Sequence, residues 1–158
     1  MVALTSMGLF VANSVRLAGW HTKGIWKKPL LWSLFISFIW INLGFFLLAL
    51  NVFLSLPNIV VIHAFGIGGI GVVILSMMAR VTLGHTGRNV QNPPKTVTVA
   101  LIILIAGAAI RVIAPLIAES HYVIWVAASQ ILWIAAFSIF IVTYFPMLVK
   151  PRIDGQFG

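Results

Sequence analysis

The sequence predicts an all-α, polytopic transmembrane helix bundle of four full spans and a shorter N-terminal helix. Three observations carry that reading. Of the 158 residues, 61% are hydrophobic and only 8% are charged, against roughly 25% charge in a soluble domain. The apolar residues are gathered into long runs, near the ~20 residues that cross a hydrocarbon core as a helix. Ten Lys and Arg face two Asp and Glu, for a net charge of +8. So few charges cannot clothe a water-soluble surface, which excludes an ordinary soluble enzyme. A nucleic-acid-binding module does not fit either, because its basic patch would sit on an otherwise apolar body. Inside a bilayer the backbone has no water to bond, so the runs must be helices.

The elements follow in order. Residues 2–18 form the weakest apolar stretch, interrupted by Asn13 and Arg16. At about 25 Å (~1.5 Å per residue) it reads as a short span, an interfacial helix, or the stump of a longer helix. Pro29 opens the next run, about residues 30–50, and Pro57-Asn58 precede the third, about 59–79. Pro93-Pro94 stand before the fourth, about 97–118. Ser120 is placed to cap the fifth, about 123–146, since proline and small hydroxyl residues favour helix starts. The chain is then a single membrane domain over 1–158, with a loop at 80–96 and a tail at 147–158.

Charge sets the orientation. Arg16, Lys23, Lys27, Lys28, Arg80, Arg88, Lys95, Lys150 and Arg152 fall on one side of this arrangement, and the opposite connections carry no Lys or Arg. The positive-inside rule makes the loop 80–96, the tail and the C-terminus cytoplasmic. Trp20, Trp26, Trp32 and Tyr144 near the inner boundary, with Tyr122 and Trp125 near the outer one, read as aromatic belts. The first twenty residues lack a basic segment and a small-residue cleavage site, so they do not read as a removable signal peptide. Cysteine is absent, which leaves no disulfide, no thiolate metal site and only non-covalent attachment for any haem.

Polar residues within spans are functional candidates because burying them is costly. His63, Arg111 and Gln130, with Glu119 and His121 on the outer connection, gather in one outer-leaflet layer. Such a layer suits a metal or haem, with Arg111 facing an anionic group such as a propionate. Equally, Arg111 can pair with Glu119 or snorkel outward, His63 can bridge helices, and His121 reads as a solvated loop residue. His85 lies 22 residues beyond His63, on the order of 30 Å along a helix, so the two cannot share one ion within a chain. It sits in the loop Leu83-Gly84-His85-Thr86-Gly87-Arg88, which also reads as a basic turn for lipid headgroups. Gly66-Ile67-Gly68-Gly69-Ile70-Gly71 is a literal G-x-G-x-x-G, but its place within a span points to close helix packing rather than a dinucleotide. Ala106-Gly107-Ala108-Ala109, Ala127-Ala128 and Ala135-Ala136 read the same way. Met77 and Met78 carry thioethers that suit Cu(I), yet core packing is the stronger reading. One Glu and one Asp on opposite sides exclude paired-carboxylate chemistry.

The run from His63 to Arg88, HAFGIGGIGVVILSMMARVTLGHTGR, resembles the signature of the NnrS family of bacterial membrane proteins. Pro29-Leu30-Leu31-Trp32 agrees, as do Arg111-Val112 with Pro115. So do Trp133, Ala136, Phe137 and Tyr144 with the terminal Pro151-Arg152-Ile153-Asp154-Gly155, although Phe157 stands where a proline is more usual. The resemblance implies a haem- and copper-containing protein of the inner membrane, associated with nitric oxide stress resistance or denitrification. His63, His85, Arg88 and Arg111 match its motif positions. Neutral imidazole suits iron and copper, which makes His63 and His85 the candidate metal ligands and Arg88 and Arg111 candidate cofactor-binding residues. The resemblance also implies that this chain corresponds to the C-terminal portion of longer members. A truncated or split member would then need a second membrane subunit or a homo-oligomer to complete its site. The competing expectation is a metal-free structural or interaction subunit that docks through its small-residue faces.

Overall fold

Proline at the first position of a helix forfeits no hydrogen bond, because that N–H has no intrahelical acceptor. Pro29 uses this at the start of a helix that runs on to Leu54. The computed structural model describes residues 1–156, so Phe157 lies outside the described residues. Five helices are long and apolar enough to cross a membrane: α1 (Val2–Trp20), α2 (Pro29–Leu54), α3 (Asn58–His85), α4 (Lys95–Ile117) and the span Glu119–Leu148. In the last of these, helix α5 proper is Tyr122–Leu148. The chain is multi-pass. One end of the bundle, the basic end, gathers the connections rich in Lys and Arg; the opposite end is called distal below.

The weak N-terminal stretch is a helix of 19 residues. It packs against α2 alone, through Phe10 and Phe46 with ring centroids 5.0 Å apart and a 2.8 Å hydrogen bond from Asn42 Nδ2 to Ser14 Oγ. Its polar residues are satisfied locally: Asn13 donates to the Leu9 carbonyl at 2.8 Å, and the Arg16 guanidinium lies 4.5 Å from the Trp20 ring centroid.

Helix α3 is not uniform. Ala64–Gly71 forms a π-helical segment, a widening that apolar run length does not reveal. Its glycines let α2 come close. A Cβ placed on Gly68 would stand 2.5 Å from the Trp40 ring, and one on Gly69 would stand 2.6 Å from Ile41 Cγ1. Across the same seam a Cβ on Gly44 would meet the Phe65 ring at 2.8 Å. Within the G-x-G-x-x-G, Gly68 and the neighbouring Gly69 therefore form the packing surface, while Gly66 faces open space. Gly107 serves the α4–α5 seam similarly, with Leu132 Cβ 3.2 Å from a Cβ placed there.

The third apolar run was expected to end near residue 79, but α3 continues to His85. Its stop is a Schellman cap: Arg88 N–H bonds the Leu83 carbonyl at 2.8 Å and Gly87 N–H bonds Gly84 at 3.2 Å. Gly87 supplies the left-handed φ of +72° that this cap needs. Helix hydrogen bonding thus outlasts the apolar stretch by about a turn and a half, and His85 is the last helical residue rather than a loop residue. Ser120 does not cap α5; its Oγ lies 3.0 Å from His121 Nδ1, and the helix has no side-chain cap.

Two apolar cores fill the bundle. Leu75, Leu101, Leu104, Phe140 and Tyr144 belong to the one nearer the basic end, and Trp40, Val60, Val61, Ala108 and Val112 to the distal one. Tyr144, expected in an interfacial belt, is fully buried and stacks on Phe140 with centroids 4.6 Å apart. Its position along α5 suits a belt, but its face of the helix turns inward. Met77 and Met78, expected in the core, are about two-fifths exposed on the outside of the bundle. In the interior a buried Ser33–Ser76 hydroxyl pair, 2.8 Å apart, ties α2 to α3. Ser33→Ala is expected to cost about 0.6 kcal/mol, the mean for such a bond in a membrane. A double-mutant cycle with Ser76→Ala, unfolded in mixed micelles, should return that coupling.

Candidate functional site

Antiparallel neighbours bring the distal part of α3 beside the distal part of α4, and this juxtaposes two residues 48 positions apart. Arg111 Nε lies 3.3 Å from both ring nitrogens of His63. Arg111 Nη1 donates to the Val126 carbonyl on α5 at 3.1 Å. One guanidinium thereby clasps three helices. The expected alternative, pairing with Glu119, does not occur: among the described residues the one ion pair is Arg152–Asp154 at 2.6 Å. Helix α4 ends at Ile117, so the chain has turned away before Glu119 is reached. Trp125 Nε1 donates to the Ala118 carbonyl at 3.0 Å and pins that turn.

A cavity of about 320 Å³ opens at the distal end, lined by Pro57, Ile59, Val60, Pro115, Glu119 and Tyr122. Val60 is three residues from His63 and Pro115 is four from Arg111. Both spacings keep a residue on one helix face, so the cavity sits about one turn beyond the pair on the same seam. His121 and Gln130 are exposed and do not join it. Of the five polar residues expected in this layer, His63 and Arg111 meet, Glu119 lines the cavity, and the other two stand apart.

His85 is at the basic end, exposed, with no side-chain hydrogen bond among the described residues. Its backbone is held firmly. Arg152 Nη1 donates to the His85 carbonyl at 3.1 Å, and Ile153 N–H reaches the Thr86 carbonyl at 3.4 Å. Arg152 also grips Asp154 through Nε at 2.9 Å and Nη2 at 2.6 Å. The Asp154 carboxylate closes over Gly87, 2.8 Å from where a Cβ would be. Hydrogen bonding from Arg152 holds the Asp154 carboxyl down at about 2, and the same bond raises Arg152. Arg88, half-buried, turns Nη1 toward the Thr86 carbonyl at 3.4 Å. The signal in the sequence for this lock is the lone acidic residue on a strongly basic side, Asp154.

The two candidate metal ligands thus lie at opposite ends of one helix. The described residues contain no group of three or more His, Cys, Asp or Glu able to hold a metal ion. His63 has the Arg111 guanidinium beside its ring, whereas the His85 imidazole has no side-chain hydrogen bond among the described residues and is exposed. A comparison of the whole chain with protein families gives a match to the family described as NnrS protein over residues 1–152. No curated protein matches the chain, and no solved structure matches it.

Proposed function

The chain belongs to the NnrS family, and from that premise we propose a nitric oxide-related, multi-pass protein of the bacterial inner membrane that binds haem non-covalently. The observation that carries the haem reading is the exposed, unengaged imidazole of His85 on a backbone fixed by its cap and by the tail. His85 would hold the iron, and the Arg88 guanidinium three residues on would meet a propionate. A bound haem supplies an iron that takes up diatomic ligands; the chain's own part is to present one imidazole in a set orientation and one cation for a carboxylate. The basic end is then cytoplasmic by the positive-inside rule, as is the C-terminus.

Copper is a different matter. A copper ion needs several nitrogen or sulfur donors, and no group of three or more His, Cys, Asp or Glu comes together among the described residues. A copper site would therefore be completed by a second membrane subunit or a second copy. The competing reading is a metal-free interaction subunit docking through its small-residue faces. Gly68, Gly69 and Gly107 do not serve it, being occupied by Trp40, Ile41 and Leu132 of the same chain, which leaves it Ala127, Ala128 and Ala135 on α5.

Purification in a mild detergent should yield a Soret band with about one haem per chain or per oligomer. His85→Ala should remove it, and His63→Ala should leave it. A colourless wild type of native fold, or a band indifferent to His85, defeats this proposal. Metal analysis of the same samples should find copper only in fractions that elute as oligomers or with a second protein.

A further inference from the structure

An arginine inside a span has few sources of compensation. Moving a cation from water into a low-dielectric region costs several kcal/mol even after relaxation, unless an opposite charge accompanies it. Within this chain only Glu119 and Asp154 can supply one. Asp154 is committed to Arg152 at the basic end, and Glu119 forms no ion pair among the described residues. Arg111 has instead His63 and the Val126 carbonyl as partners, and its Nη2 makes no hydrogen bond among the described residues. Among the described residues no carboxylate pairs with Arg111.

We propose that the Arg111–His63 pair binds a singly charged oxyanion group, admitted from the distal face by way of the cavity between α3 and α4. The guanidinium keeps its Nη2–H donors unused among the described residues, and charged N–H donors suit oxyanions. His63 lends hydrogen-bonding capacity once its ring turns from Arg111 toward the ligand. The cavity is about 320 Å³ and mostly apolar in lining, and Arg111 and His63 are not on its wall but about one turn beyond it, so it serves as a way in for a small group. Glu119 on its wall sets the charge: it repels a divalent anion twice as strongly as a monovalent one. The same oxyanion chemistry is presented by a free acid anion and by the phosphodiester of a lipid headgroup at the membrane edge. Haem has no part in this site, so the test reads the chain as purified, whatever its haem content.

The test is thermal unfolding of the purified chain in a neutral detergent, with formate replacing the bulky lactobionate at constant ionic strength. Parallel native mass spectrometry follows retained phospholipid. Formate should raise the midpoint saturably in the wild type. The half-saturating concentration should increase at least tenfold in Arg111→Gln, change least in Arg111→Lys, and fall severalfold in Glu119→Gln. If formate is without effect but one phospholipid per chain is retained by wild type and lost from Arg111→Gln, the oxyanion is the lipid's. Absence of both effects in the wild type overturns the proposal, as does either effect persisting unchanged in Arg111→Gln. Should Arg111→Gln fail to fold, the Glu119→Gln shift decides: no change in formate affinity there overturns the route.

Discussion

Replacing Gly68 by Leu is expected to disassemble the bundle, while the same change at Gly66, two residues away in the same glycine-rich run, is expected to be harmless. Membrane helices associate through packing rather than through a hydrophobic drive, since lipid tails are as apolar as leucine. Contact distance therefore matters most. A Cβ on Gly68 already stands 2.5 Å from Trp40, whereas nothing lies within 4 Å of one on Gly66. Trp40 is buried, at 7% exposure, in the distal core, so its indole has no free space to retreat into. Forcing even a methyl into a packed interior costs about 1–3 kcal/mol, and leucine adds three further carbons. The α2–α3 seam is the base on which α4 and α1 are also laid, so its loss spreads. Gly68→Ala should cost about 1–3 kcal/mol, and Trp40→Leu should restore part of it, a coupling that a double-mutant cycle isolates. Unfolding in mixed micelles, with size-exclusion chromatography of each variant, makes the measurement. Equal damage from Gly66→Leu and Gly68→Leu would falsify the packing account.

The fate of particular residues shows what a linear reading can reach. Helix number and approximate position are written in apolar run length, because the bilayer imposes one length scale on every span. Helix ends are not, because hydrogen bonding ignores the polarity that stops the run, as at Arg80–His85. The Gly68 contact was legible as small-residue packing, but its π-helical form was not, since nothing in one strand of sequence says how tightly a neighbour presses. Tyr144 was misplaced because depth along a helix and direction around it are separate coordinates, and only depth is read easily. Arg111 illustrates the same limit for the site. Glu119 was near in sequence, His63 was 48 residues off, and antiparallel packing of α3 on α4 reversed that order. His85 and Arg152 were each noticed, yet their meeting required knowing that α3 and α5 end side by side.

Gly87→Val is expected to undo the His85 turn, whereas Asp154→Asn is expected to free the tail and leave the turn capped. The difference follows from how the two are joined. Gly87 sits at φ +72°, where a side chain costs about 1–2 kcal/mol, and a Cβ there would run into the Asp154 carboxylate at 2.8 Å. Valine therefore attacks both the Schellman cap and the tail's seat. Amide exchange at Arg88, whose N–H closes the cap, and at Ile153, whose N–H bonds Thr86, should each accelerate about tenfold or more, the factor that 1.4 kcal/mol carries. In Asp154→Asn only the Ile153 amide should change. The clasp is also acid-labile in a defined direction. Because the Asp154 carboxyl is depressed from 3.8 to about 2 in the folded chain, its contribution is complete above the ordinary carboxylate pKa and disappears as pH falls through about 2. A nitroxide on Gln156→Cys, in a chain with no native cysteine, should report an immobile tail at pH 7 and pH 5. Mobility should then rise between about pH 4 and 2, and in Asp154→Asn it should be high at every pH. A tail that loosens instead between pH 5 and 7 would place its anchor on a histidine and not on the Arg152–Asp154 pair.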